Sequence, residues 1–245
     1  MNRTNVLAAA LILALGMVLS AALVSKLLVR VRQERAITVK GYAEADMLSD
    51  IGKFACTCCA RGATLADAYK RLQANRQAAL DYLLRAGFRG KELVAGTIET
   101  VRVAKRNEQG KETNETEYFD LFQTVCLTST NVQRIAEVSS GITDLIQNGI
   151  DIKASSPEYY VSDLKGQKLR LLAAATEDGY ARALTLAQGS KGKVGALTSA
   201  QQGVFQITQR HSTDTSGGGE YDTSTIEKTA KAVVTLEYAI DTGVR

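Results

Sequence analysis

The hydrophobic period of the chain changes several times along its length. From Val6 to Ser25 no residue is charged, and most are Ala, Leu or Val, so a helix through this run has no polar face. From Ile37 the period falls to two: Ile37-Thr-Val-Lys-Gly-Tyr-Ala-Glu44 alternates apolar with polar residues, as a strand with one face on a core does. Met47 to Ala60 continues in β-prone residues, and the two segments are expected to pair. Beyond Thr64, a side chain suited to capping, Leu65, Ala68, Tyr69, Leu72, Ala79, Leu80, Leu83 and Leu84 recur at helical spacing until Gly87 offers a stop. This predicts a long amphipathic helix lying on the strands through its Leu stripe.

The alternation then returns. Thr97 to Lys105 and Tyr118 to Thr128 read as a hairpin around the polar stretch Asn107 to Asn114, which contains Gly110. Asn131 to Asn148 carries Val132, Ile135, Val138, Ile142, Leu145 and Ile146 on one helical face and ends at Gly149. Short strands follow near Ile150 to Ser155 and Tyr159 to Val161. Asp163 opens another helix that runs to Gly189 through Leu164, Leu171, Leu172, Ala175, Tyr180, Leu184 and Leu186. Lys193 to Arg210 reads as a long strand or a bulged pair. Thr213 to Thr225 is a loop, and Lys231 to Ile240 forms a last strand.

The order ββα, ββ, α, β, α, ββ indicates an α+β fold, mostly antiparallel sheet with long packed helices, preceded by one N-terminal transmembrane helix. No fixed repeat emerges, although two related ββα units are conceivable. Residues 1–35 are set apart as an anchor with a basic flank, and residues 36–245 as one folded domain.

The uncharged run has 20 residues, and at 1.5 Å per residue it spans about 30 Å, the thickness of a hydrocarbon core. Val6, Leu11, Leu15, Leu19 and Leu23 mark the predicted span. A cleavable signal has a shorter apolar region of about 7 to 15 residues ahead of its cleavage site. Here Ser20-Ala21-Ala22 lies inside the run, which favours an uncleaved anchor and makes the lipid bilayer a partner. Arg3 precedes the run while Lys26, Arg30, Arg32 and Arg35 follow it, so a simple positive-inside count would hold the domain in the cytoplasm.

A composition of 45% hydrophobic and 23% charged residues is that of an ordinary folded protein. The net charge of +4 is spread along the chain, with no Trp, so no nucleic acid partner is implied.

Four cysteines are the most unusual feature. Cys56 and Cys58 share one face of a predicted strand, Cys59 faces the other way, and Cys126 sits in a different strand. Small buried hydrophobes are the default reading. A bridge from Cys56 or Cys58 to Cys126 requires those strands to be neighbours in an oxidising compartment, and the spacing matches no zinc site. Metal or redox chemistry on these thiols is the third reading.

His211 with Ser212 and Asp214 lies too close in sequence for a triad and has no nucleophile elbow around it. Gly217-Gly218-Gly219 lacks the Lys-Ser/Thr of a phosphate loop. Glu44, Asp46 and Asp50 fit no calcium-loop spacing. No catalytic residue, metal or cofactor is therefore expected.

Ile37-Thr-Val-Lys-Gly-Tyr-Ala-Glu-Ala-Asp46, the strand ending in Ala60-Arg-Gly-Ala-Thr64, Gly203-Val-Phe-Gln-Ile-Thr208, Tyr221-Asp-Thr-Ser-Thr-Ile-Glu-Lys228 and Ala232-Val-Val-Thr-Leu236 together resemble the SIMPL family, which includes bacterial periplasmic immunogenic proteins. The likeness covers roughly residues 36 to 240. It implies an exported domain, ring or cage-like homo-oligomers in which the partner is a second copy, and a link to stress tolerance, with no catalytic residue to carry over. The Cys56 to Cys59 cluster departs from the family pattern. On this reading the chain is a non-enzymatic, single-pass inner-membrane protein with its soluble domain in the periplasm. The alternative is a thiol- or metal-dependent envelope enzyme using the Cys cluster.

Overall fold

The computed structural model describes residues 13–25, 36–213 and 216–241. Residues 13–25 form α1. The remaining order is β1 (Ala36–Leu48), β2 (Ile51–Gly62), α2 (Leu65–Arg85), β3 (Leu93–Arg106), β4 (Glu112–Ser129), α3 (Val132–Gly141), β5 (Ile152–Ala154), β6 (Glu158–Tyr160), α4 (Leu164–Gly189), β7 (Lys193–Gln202), β8 (Gln206–Gln209), β9 (Glu220–Tyr221) and β10 (Glu227–Asp241). The fold is α+β. The β2–β4, β2–β5, β2–β6, β3–β4, β7–β10 and β8–β10 pairs are antiparallel, and β8 and β9 share a two-residue parallel contact. β1 does not pair with β2 as the alternation suggested: it joins β10, and β2 lies in the other sheet between β4 and β5, because period-two patterning gives a strand but not its neighbour.

By contacts the chain divides into two compact units. One gathers Glu44–Leu169 and Val204–Lys231. Its main sheet has the order β3-β4-β2-β5, with β6 also pairing along β2. One face of that sheet is closed by α2, α3 and a 3-10 turn at Ile142–Asn148, burying Phe54, Cys56, Cys58, Leu121, Val125 and Leu127 against Leu72, Leu83, Ile135 and Ile142.

Local chemistry sets the ends of these helices. Thr64 is extended and accepts from the Asp67 amide, and Asn131 accepts from the Arg134 amide, so each frees its helix of an orphan donor. The segment Asn131–Asn148, read from sequence as one helix, divides into α3 and the 3-10 turn. At the join, Ser139 and Ser140 hydroxyls both donate back to the Ala136 carbonyl and Gly141 follows, a combination that weakens α-helix propagation. Gly149 then closes the turn at φ 78°, a left-handed conformation that glycine adopts without steric cost.

The other unit gathers the residues up to Ala43, Arg170–Gly203 and those from Ala232 onward. In it α4 presents Leu171, Ala175, Gly179, Ala183 and Ala187 at helical spacing, all buried. The small residues permit a close approach to the strands. A Cβ on Gly41 would collide with the Ala175 carbonyl, and one on Gly179 would stand 2.7 Å from Leu236 Cδ1. Asp178 anchors the contact by accepting from the Tyr42 amide at 2.8 Å. The expected long strand over Lys193 to Arg210 is broken into β7 and β8, each pairing with β10.

Candidate functional site

The predicted spanning residues fall partly outside the described chain. Val6 and Leu11 lie beyond it, as do Arg3, Lys26, Arg30, Arg32 and Arg35. Leu15, Leu19 and Leu23 belong to α1, where they are exposed along with Leu13, Met17, Val18 and Val24. Among the described residues no helix is long and apolar enough to cross a membrane.

The bridge considered for Cys56 or Cys58 with Cys126 is not formed, and the strand register gives the reason. Strands β2 and β4 are indeed neighbours, but Cys126 lies opposite Ala55, whereas Cys56 lies opposite Val125. Residues facing one another across an antiparallel ladder point to the same side. Cys56 and Cys58 therefore point into the helix-covered core, fully buried, while Cys126 emerges on the uncovered face, and all four thiols are free. Burial pushes the Cys56 thiol up to about 12 and Cys58 up to about 11. Thiols held in that state are poor nucleophiles and poor metal ligands near neutral pH. No group of three or more metal-binding side chains occurs among the described residues.

The polar residues from two segments that carry the family likeness converge in the larger unit. Asp46, near the end of β1, accepts from Thr229 Oγ1 at 2.7 Å and pairs with Arg210 at 3.2 Å. Arg210 also binds Glu227 at 3.1 Å. Beside them Lys228 is fully buried, its ammonium bonded to the Asp222 carboxylate at 3.3 Å and to the Thr225 carbonyl. Burial raises the Asp222 pKa, but the Ser224 and Thr225 hydroxyls, the Ser224 amide and the Lys228 charge outweigh it and hold the carboxyl well below the usual range. Burial lowers Lys228 against the opposing pull of Asp222. A hollow of about 490 Å³ opens over Asp46, Met47, Leu48, Gln167, Arg210 and Lys228. Its charges are engaged with one another, so the arrangement fastens a loop to a strand.

Sequence reasoning missed this lock, because Lys228 reads there as one more charge in a polar stretch. A signal was present in Asp222-Thr-Ser-Thr225, since Asp followed two and three residues later by Ser and Thr is a pattern for side chains that bond the local backbone. Asp50 likewise serves a loop, accepting from the Ser162 amide at 2.7 Å. His211 stands in a turn at φ 64°, exposed, and Asp214 lies outside the described residues.

The remaining feature of this unit is an open edge. β2 is flanked by β4 on one side and by β5 and β6 on the other, whereas among the described residues β3 pairs with β4 alone and ends the sheet. β4 meets β2 only over Phe119–Ser129, so the residues of β4 before Phe119 and those of β3 after Arg102 extend as a two-stranded arm. From Ile98 to Arg106 the side chains of β3 alternate without interruption, because the irregularities at that end fall on β4. Glu99, Val101, Val103 and Lys105 share the uncovered face. On it Arg61 binds Asp120 through two bonds of 2.8 and 2.9 Å and covers the Tyr118 ring, and Thr57 and Thr124 hydroxyls bond at 2.9 Å.

A family model described as SIMPL, protein of unknown function (DUF541), matches residues 37–238. No curated protein matches the chain.

Proposed function

Starting from a chain that belongs to the SIMPL family, a family of unknown function, we propose that this protein is a membrane-anchored component of the cell envelope whose work is self-assembly into a ring or cage-like homo-oligomer. The observation that carries the reading is the outer edge of β3. Its backbone donors and acceptors face no strand among the described residues over a 14-residue element. A long edge strand without proline is a template for another strand. The exposed apolar side chains of α1, continuous in sequence with the rest of the uncharged run, support a tether in lipid. On this reading the soluble domain stands in the periplasm, and the link to stress tolerance belongs to the assembled particle.

The thiol-enzyme alternative loses its support with Cys56 and Cys58 sealed in the core. Light scattering of the full-length protein in detergent tests the assembly. A mass of several chains at micromolar concentration is expected, and a strictly monomeric mass overturns the reading.

A further inference from the structure

The sequence of β3 is complementary to itself when the strand is reversed. On the uncovered face its order is Glu99, Val101, Val103, Lys105: an acid, two apolar residues and a base. Suppose a second copy of β3 runs antiparallel along the free edge, about a two-fold axis perpendicular to the sheet at Arg102. Glu99 then lies opposite the second copy's Lys105, and Val101 opposite its Val103. The symmetry repeats both pairs, and on the other face Thr100 meets Ala104 and Ile98 meets Arg106. Two-fold symmetry keeps the uncovered face of one copy continuous with that of the other, so the pairing builds one sheet through both molecules.

The neighbouring groups allow this register. Val101 is 40% exposed, so the contact would cover apolar surface that is now wet. Lys105 holds Glu115 of its own hairpin at 2.9 Å and retains donors for a second carboxylate. The register places one pair of like charges together, Arg102 with itself. Its guanidinium donates to the Asn114 carbonyl at 2.7 Å, across the hairpin and away from the free edge, which separates the two cations.

We infer that β3 forms the two-fold contact that joins the chains of the assembly in pairs, a second interface linking the pairs, and that its partner is β3 of a second copy of this chain, joined antiparallel with Glu99 against Lys105. This rests on the self-assembly reading above and specifies its interface.

The test uses the full chain in detergent, with the mass followed over a dilution series. Glu99→Lys and Lys105→Glu each place like charges together at two symmetric positions and should raise the concentration at which the assembly dissociates about tenfold. The double variant Glu99→Lys with Lys105→Glu restores both pairs and should return within about threefold of the natural protein. Losing the Lys105 to Glu115 pair alone cannot produce that rescue. Arg102→Cys in a Cys126→Ser background gives a second, independent measurement, because only a residue on the axis meets itself. Mild oxidation should cross-link it to a dimer, whereas Thr97→Cys in the same background should not cross-link. A double variant as weak as either single one, or an Arg102→Cys protein that stays monomeric under oxidant while the natural protein assembles, overturns this contact and leaves assembly by another surface standing. A natural protein that is monomeric throughout the dilution series overturns both.

Discussion

β2 and β3 pair with the same strand, one on each side of β4, yet they stand in opposite circumstances. β2 has hydrogen-bonded neighbours at both edges and helices over one face, and it carries Phe54, Cys56, Cys58 and Ala60 into the core. Among the described residues β3 has a neighbour at one edge only, and most of its residues are exposed. A shared ladder therefore does not assign a shared role. The strand whose backbone is satisfied on both sides supplies stability, and the strand with a free edge is available for association.

Perturbing the sealed strand should produce the largest effect. Phe54→Ala is expected to lower unfolding free energy by about 4 kcal/mol in urea, because the ring lies buried among core residues and leaves a cavity. A loss below about 1 kcal/mol would break the comparison by showing that β2 is no better packed than β3.

The buried pair beside the sheet sharpens the contrast through pH. Asp222→Asn should cost about 2 to 3 kcal/mol by weakening charge-assisted bonds to Lys228, Ser224 and Thr225. The Asp222 carboxyl is depressed in the folded state, so the stabilisation is fully present above the ordinary carboxylate pKa of about 4 and is lost as pH falls below it. Urea midpoints measured from neutral pH down to about pH 3 should fall in the natural protein and fall less steeply in Asp222→Asn.

Thiol labelling compares the two faces directly. In the native protein near pH 8 a small alkylating reagent should modify Cys126 within minutes, while Cys56 and Cys58 react only after unfolding. Peptide mapping by mass spectrometry reads the order. Rapid labelling of Cys56 would show that the helix-covered face opens in the native state.

The smallest change in stability is expected at the edge. Val101→Ala should alter unfolding free energy by less than about 0.5 kcal/mol in the dissociated protein, since the side chain is already exposed. A larger loss in urea titrations would mean that β3 belongs to the core.

Much of this contrast was legible in the amino-acid order. Period-two segments at Ile37 and Thr97, the cap Thr64 and the stop at Gly149 gave the α+β class, because each rests on local backbone chemistry. Three features were not local and escaped. Whether Cys56 and Cys126 share a face depends on the β2–β4 register, which is set by the whole ladder. The burial of Lys228 depends on Asp222 folding back six residues away. The free edge of β3 follows from β5 and β6 joining β2, a pairing between segments about 100 residues apart along the chain.

Backbone amide exchange along β3 is the most direct test of its role as the contact strand. As the protein is raised from dilute to assembled concentrations, alternate amides between Ile98 and Arg106, those facing away from β4, should become protected while the amides of β2 keep the same exchange rates. If those β3 amides still exchange freely in a sample whose scattering mass shows several chains, the edge is unoccupied and β3 does not hold the assembly together.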